Sequence, residues 1–566
     1  MASVVGKKRG KRTYYYLVES ARVDGKPRIV SQEYLGTAEE LAAAMRGGGL
    51  GLPDRTQHKE FGAVAAAWSL LEDLGVAAVI DEAAGTRRSD AGASVGAYLV
   101  LAALNRLAAP CSKLAFADWW AKTAAPRFTK IPASVLDHRR FWDAMHAVEL
   151  GDLERISQAI VLRMVDLFGL DCSSVALDMT NFATFIDTGN DKAPVAQGKA
   201  KQKRAGLRLV GLGLVVTREG GIPLAWHAYP GDKPDVTQFP ALIAALRTRH
   251  EAICAAAARQ PADMTVVFDA GQNSQDNFAY LAGTGLHYIG SVPASDCPDL
   301  TALPACVRTV VDAGRFGGLT AYDTSREAYG AQRRAILTHS PELHQSQARG
   351  FDGTTLAKAG KKLDELAATL ARGKTRRPRE KVEADIHAIT HKPWARRVLT
   401  WQLTGEAPKD LRLSWDINKT ARAALEQEIF GKHVLITDHD DWPVAEVIAG
   451  YRSQSEAEFS FRQLKDPHVV SFSPMFHWTE HNIRVHAFTC VLALQLAHLM
   501  RLRARTAGLD LSVRALLGEL AGIGETVLLY QGQRGRPRAH RILTETTPVQ
   551  DKLIKIFHLN PYAPKR

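Results

Sequence analysis

SSVALDMTNFATFI, residues 173–186, is where this chain stops reading as helix and starts reading as sheet. Val175, Ala176 and Leu177 form a short apolar run that ends at Asp178, too brief for a helix of its own. LRLVGLGLVVTREGGIPLAWHAYPG, residues 207–231, follows, and its two apolar runs flank Glu219-Gly220-Gly221, which predicts a hairpin. After a helical stretch, DMTVVFDAG (263–271) supplies a short apolar strand ending at Asp269. LHYIGSV (286–292) supplies another, one helix later. Strands and helices mixed in this order predict an α/β unit.

Outward from that centre the character changes on both sides. Upstream, from Glu60 to Leu170, FGAVAAAWSLLEDLGV and GAYLVLAALNRLAA have helical periodicity and predict a helical domain that binds DNA or dimerises. Further upstream, KRTYYYLVESARVDGKPRIVSQEYLG (11–36) alternates aromatic or β-branched residues with polar ones about an Asp24-Gly25 turn, a hairpin signal. Downstream, residues 293–443 mix strand-like runs such as RRAILTHS and RRVLTWQLTG with a helix near Leu356–Leu370, and read as an insertion. IAGYRSQSEAEFSFRQLKD (448–466) and HNIRVHAFTCVLALQLAHLMRLRAR (481–505) resume as helices and close the α/β unit. The expected division is therefore 1–59 as a basic β-hairpin unit, 60–170 as a helical domain, and 171–292 plus 444–505 as the catalytic domain. An insertion at 293–443 and a C-terminal basic region at 506–566 complete it.

A chain of 566 residues predicts several domains. With 46% apolar and 23% charged residues it is ordinary for a folded protein, which excludes a fibrous or largely disordered class. Lys and Arg outnumber Asp and Glu by 72 to 60, a formal charge of +12, which favours a polyanionic partner. Six cysteines lie without any Cys-x-x-Cys pair, and no apolar core follows the basic start, so a cytoplasmic setting is expected. The stretches Ala91–Leu104 and Val485–Leu499 read as buried helices, and no membrane partner is expected.

Asp178 and Asp269 each end an apolar run, and carboxylates at strand ends converge when the strands are neighbours. Taken singly, such an Asp also serves as a turn former or helix cap. Glu458 adds a third acid on a helix where Ala457, Phe461 and Leu464 face the core. Tyr451, Glu458 and Lys465 fall seven apart on a second stripe. A solvated helix with an internal charge pair is the plain alternative. Three carboxylates suit Mg²⁺, which prefers oxygen ligands. Two such ions a few ångströms apart support in-line phosphoryl displacement, hydrolysis and strand transfer alike.

With Tyr451, Glu458 and Lys465 in place, the chain resembles the DDE transposases of bacterial insertion sequences, in the insertion-sequence-four superfamily. Their signature is Tyr-x₂-Arg-x₃-Glu-x₆-Lys. The spacing is kept, but Gln454 stands where the family has Arg, and Arg452 and Arg462 are the nearest cations that substitute for it. LDMTNF matches around the first Asp and VVFDAGQNS around the second. The resemblance implies a ribonuclease-H-like catalytic domain interrupted by a largely β insertion, and the 189 positions from Asp269 to Glu458 leave room for one. It also implies that Asp178, Asp269 and Glu458 hold two Mg²⁺ ions, for which Mn²⁺ substitutes, and that Tyr451 and Lys465 contact transposon-end phosphates. The implied partner is double-stranded DNA gripped by a homodimer, with no nucleotide cofactor.

Lys199, Lys201, Lys203 and Arg204, in the basic run 189–208, predict a phosphate-gripping loop beside Asp178; a solvated loop is the alternative. Arg372–Lys381 forms another basic run, and Arg534-Gly535-Arg536-Pro537 has the core of a minor-groove hook. Trp394, Trp401 and Trp415 read as core residues rather than base-stacking ones. A stand-alone metal-dependent nuclease and a catalytically silent DNA-binding descendant are the rival functions.

Overall fold

The computed structural model describes residues 2–10, 12–23, 26–45, 52–84, 92–187, 189–190, 197–198, 206–257, 263–374, 376–530 and 538–565. They gather into two units, one from Met1–Ala65, Ala121–Lys130 and Glu519–Arg566, the other from Ala66–Trp120 and Ile131–Gly518. The expected segments 60–170 and 506–566 are thus each divided between units, because pairing over long sequence separations outweighs chain proximity.

In the first unit, β1 (Ala2–Arg9), β2 (Arg12–Val23) and β3 (Lys26–Thr37) form an antiparallel sheet, one strand more than the expected hairpin. Tyr34 packs its ring against Tyr16 and Tyr14, at 5.3 and 6.2 Å, the cross-strand aromatic pairing that sets register. β4 (Arg55–Glu60) pairs with β17 (Gly524–Tyr530), which pairs with β18 (Arg538–Leu543). Glu525 on β17 is fully buried between Arg127 (2.6 Å) and Arg541 (3.0 Å).

The second unit is a mixed α/β structure around one large sheet. Its strands are β5 (Ser174–Ala183), β6 (Gln197–Gly198), β7 (Leu207–Thr217), β8 (Pro223–Pro230), β9 (Thr265–Phe268) and β10 (His287–Val292). β11 (Thr309–Val310), β12 (Thr320–Ala328), β13 (Ala331–His339) and β16 (Lys432–Thr437) extend it, while β14 (Leu399–Thr404) and β15 (Arg412–Ile417) form a separate hairpin. The spatial order is β11-β12-β13-β16-β10-β9-β5-β7, with β6 and β8 both on β7. Within it, β8-β7-β5 is antiparallel throughout and β5-β9-β10 is parallel.

Both faces of the centre are covered, which is why its strands read as nearly continuous apolar runs. Val175, Leu177, Val266 and Phe268 meet Phe239, Leu242 and Leu246 of the helix Asp235–Ala256 on one face. Val267 and Ile289, one residue out of phase, meet Val447 and Ile448 of the helix Val444–Arg452 on the other. Each such fully buried side chain is worth about 1.5–3 kcal/mol. The β7-β8 turn needs φ of 85° at Gly220 and 64° at Gly221, a conformation glycine adopts without steric cost.

The helices Val95–Ala108 and Glu480–Thr506 are buried on all sides and pack together. The apolar window of Glu480–Thr506 is 94% buried inside the protein, as a core helix requires. The insertion departs from expectation. Instead of being largely β, its strands β11, β12, β13 and β16 lengthen the main sheet. Residues 341–429 are mostly helical, with the β14-β15 hairpin, around Phe351, Leu363, Ile386 and Phe430. Trp401 and Trp415 are partly buried and pack against that core, whereas Trp394, although its ring lies 5.5 Å from that of Phe430, is exposed and departs from the core reading.

Candidate active site

Register brings the two aspartates together. Leu177 on β5 is paired with Phe268 on β9, and Phe268 with Gly290 on β10. The next residues along the chain are Asp178 on β5, Asp269 just past the end of β9, and Ser291 on β10, so the three fall in register across adjacent parallel strands about 4.8 Å apart. Alternation along the strand turns Leu177 and Phe268 to the Phe239 side. Asp178 and Asp269 share the parity of Ala176 and Val267, the face covered by the helices 444–465.

Asp269 is held in place. Its Oδ1 accepts from Ser291 Oγ at 2.8 Å and from the Ala270 amide at 2.7 Å, and Asn273 Nδ2 donates to the Ser291 carbonyl at 2.8 Å. Asp178 Oδ1 accepts from the Met179 amide at 2.7 Å and is half-buried. Asp269 and Glu458 are exposed.

Glu458 lies on the helix Gln454–Lys465, which is fastened to β5 on either side of it. Gln454 Nε2 donates to the Leu177 carbonyl at 2.9 Å, and Lys465 Nζ donates to Thr180 Oγ1 at 2.7 Å while sitting over the Phe182 ring. A third fastening comes from Ser460, whose hydroxyl donates to the Gly221 carbonyl at 3.2 Å. Gln454 precedes Glu458 by one helical turn and Lys465 follows by two, so the carboxylate is bracketed over the strand that carries Asp178.

Tyr451 does not share the Glu458 helix. It ends the preceding helix, because the Ser453 hydroxyl bonds back to the Gly450 carbonyl at 2.6 Å and the Ser453 and Glu456 amides make short three-residue bonds, tightening the chain there. Its phenol nevertheless reaches the site. Burial pushes its pKa up to about 12, a hydrogen bond with Ser291 opposes this, and the charges of Asp269 and Glu458 add to the rise. His433 on β16 has its ring 6.3 Å from that of Tyr451; desolvation holds it below the usual imidazole value although Asp269 pulls it upward.

The remaining predicted cations lie apart from this arrangement or beyond description. The Arg452 guanidinium stacks over Phe316 at 4.6 Å, and the exposed Arg462 lies over Phe459 at 5.7 Å. Lys199, Lys201, Lys203 and Arg204 lie outside the described residues, as do Arg534–Pro537. Arg208, from the same basic run, is buried and braces the chain by donating to the carbonyls of Asp187 (3.1 Å) and Asn190 (2.6 Å). Sequence reasoning missed Ser291, whose signal was a lone hydroxyl near the end of the apolar run YIGSV. It also missed the structural use of Gln454.

The three acids form an all-oxygen donor set open to solvent, the chemistry a hard divalent cation requires.

No protein-family model matches the chain, and no curated protein matches it. Among solved structures, the fold is similar to that of piggyBac transposase in its synaptic complex with hairpin DNA. The TM-score is 0.38 at 7% identity, covering 83% of this chain and 82% of that one. That likeness is distant and carries no weight for function.

Proposed function

We propose that this chain is a DNA transposase of the DDE type, which cuts the ends of an insertion sequence and joins them to target DNA. The observation that carries the reading is the convergence of Asp178 and Asp269 in one row of adjacent strands, under a helix fastened on both sides of Glu458. The five-strand order β8-β7-β5-β9-β10, antiparallel and then parallel, supports a ribonuclease-H-like catalytic domain. Its first strand carries Asp178, and Asp269 directly follows its fourth.

Two Mg²⁺ or Mn²⁺ ions held by Asp178, Asp269 and Glu458 would supply an activated water or 3′-hydroxyl and a stabilised leaving oxygen. The chain's own groups do the rest. Ser291 and the Ala270 amide fix one oxygen of Asp269 and so orient the carboxylate. Tyr451 keeps its proton at neutral pH and is a donor to a phosphate oxygen, while Lys465 supplies a cation at the far end of the helix. The excess of basic residues suits a DNA partner.

The test is incubation of end-labelled DNA bearing the element's termini with Mg²⁺, comparing wild type with Asp178→Asn, Asp269→Asn and Glu458→Gln. Cleaved and joined products from wild type, and loss of both in each variant with DNA binding retained, is the expected result. Cleavage without joining points to a nuclease. Equal activity in all four proteins refutes the site.

A further inference from the structure

The opposite end of the same strands holds a second cluster of donors. His287 begins β10 beside Thr265, which begins β9. Antiparallel to β10, β16 ends at Thr437 opposite Ile289, so the chain leaving β16 carries Asp438 and His439 to the start of β10. A ring nitrogen of His287, a ring nitrogen of His439 and a carboxylate oxygen of Asp438 lie within 4.8 Å of one another, the one such trio among the described residues. His287 Nδ1 is 3.1 Å from Asp438 Oδ2, about the ligand-to-ligand separation around an ion with bonds near 2.0–2.1 Å.

The cluster is braced in the way metal ligands need. Asp438 Oδ1 accepts from the Tyr288 amide at 2.9 Å, which turns Oδ2 toward His287. The His439 ring is gripped by Thr265 Oγ1, 2.8 Å from its Nε2, and stacks on Trp442 at 3.8 Å. Arg334 Nη1 donates to the carbonyls of both His439 (2.6 Å) and Trp442 (2.7 Å), fixing the loop that presents the ligands. Such supporting bonds orient ligands and sustain affinity. His439 is buried, whereas the His287 and Asp438 side chains are each 35% exposed, which leaves an entry path.

We propose that His287, Asp438 and His439 form a binding site for a divalent transition metal of the zinc type, separate from the three carboxylates. Asp269 lies four residues beyond Thr265 along β9, about 13 Å at the rise of a strand. Two imidazoles with one carboxylate select a borderline ion over Mg²⁺, whereas the all-oxygen set at the other end does the reverse. The bound ion ties the end of β16 to the starts of β9 and β10.

The experiment is titration of metal-free full-length protein with Co²⁺, followed by visible absorption and by displacement with Zn²⁺. One equivalent of Co²⁺ with bands of a four- or five-coordinate ion is expected, unchanged in Glu458→Gln and in Asp178→Asn. The double variant His287→Ala/His439→Ala loses the bands, Thr265→Val, which loses a support of His439, binds Zn²⁺ about 10- to 100-fold more weakly, and Asp438→Asn, which loses a charged ligand, binds it more weakly still. Absence of a saturable band in wild type overturns the site, as does a band that persists in the double variant.

Discussion

Gln454 Nε2 donates to the carbonyl oxygen of Leu177 across 2.9 Å, joining the helix that carries Glu458 to the residue directly before Asp178. The bond is buried, and it ties helix to strand. Gln454→Leu leaves the Leu177 carbonyl without this donor and is expected to cost about 1–3 kcal/mol in urea unfolding. DNA cleavage should fall as Glu458 loses its placement. Unchanged unfolding and unchanged cleavage would show that the bond positions nothing.

Each acid of the site is expected to be indispensable. Asp178→Asn, Asp269→Asn and Glu458→Gln keep the shape of the side chain but lose its charge, so cleavage should drop by roughly 10³-fold or more in each. Gel-shift affinity for the same DNA should stay near wild type. The double variants should be no worse than the singles, because residues that act as one unit are not additive.

Lys465 approaches the site from the Thr180 side, and the proposed role as a phosphate contact has a quantitative signature. Lys465→Ala should weaken binding to all DNA sequences alike and reduce the slope of log affinity against log salt by about 1. A slope identical to wild type would confine Lys465 to holding the helix on Thr180.

Tyr451 gives a pH dependence. Because burial and the nearby charges of Asp269 and Glu458 raise its pKa to about 12, the folded state favours the protonated phenol. Its contribution to stability is therefore complete below about pH 10, the ordinary tyrosine value, and is lost as the pH rises from there through about 12. Tyr451→Phe should remove this alkaline component from the pH dependence of unfolding and leave activity between pH 6 and 9 without a new inflection. An inflection that disappears with Tyr451→Phe inside that range would contradict the raised value.

In the first unit, Glu525 is fully buried between Arg127 and Arg541. Glu525→Gln deprives both guanidiniums of their counter-charge, and because these are 27% and 39% exposed it is expected to destabilise the protein by about 1.5–3 kcal/mol, read from the denaturation midpoint. Replacing both arginines along with Glu525 by apolar residues should restore much of the loss, since the penalty comes from the unpaired charge.

The strands β5, β7, β8, β9 and β10 were legible because each is buried on both faces and therefore appears as an apolar run; β5 continues past Asp178 to Ala183, beyond the apolar run that marked it. The division between the helices at Ser453 was not legible, since Ser453 keeps helical dihedrals and the change shows only in its hydrogen bonds, the hydroxyl and amide to the Gly450 carbonyl and the Glu456 amide to its own carbonyl. The insertion was misread for a related reason. RRAILTHS and RRVLTWQLTG do contain strands, but the helices between them expose polar faces and lack a strong apolar pattern. The largely β expectation came from the resemblance, while the residues themselves showed only one helix, near Leu356–Leu370.

By itself the sequence determined which segments are strands at the centre of the second unit and that Asp269 follows the end of one, because those properties depend on local side-chain pattern, whereas Asp178 lies in the middle of β5 and not at its end. Only the tertiary structure decided that β9 lies beside β5 and that Gln454 and Lys465 set Glu458 over them. It also decided that Gly524–Tyr530 pairs with Arg55–Glu60 and that His287 meets His439. Those relationships join residues tens to hundreds of positions apart, and their free energy arises from register and burial between segments, which no local window contains.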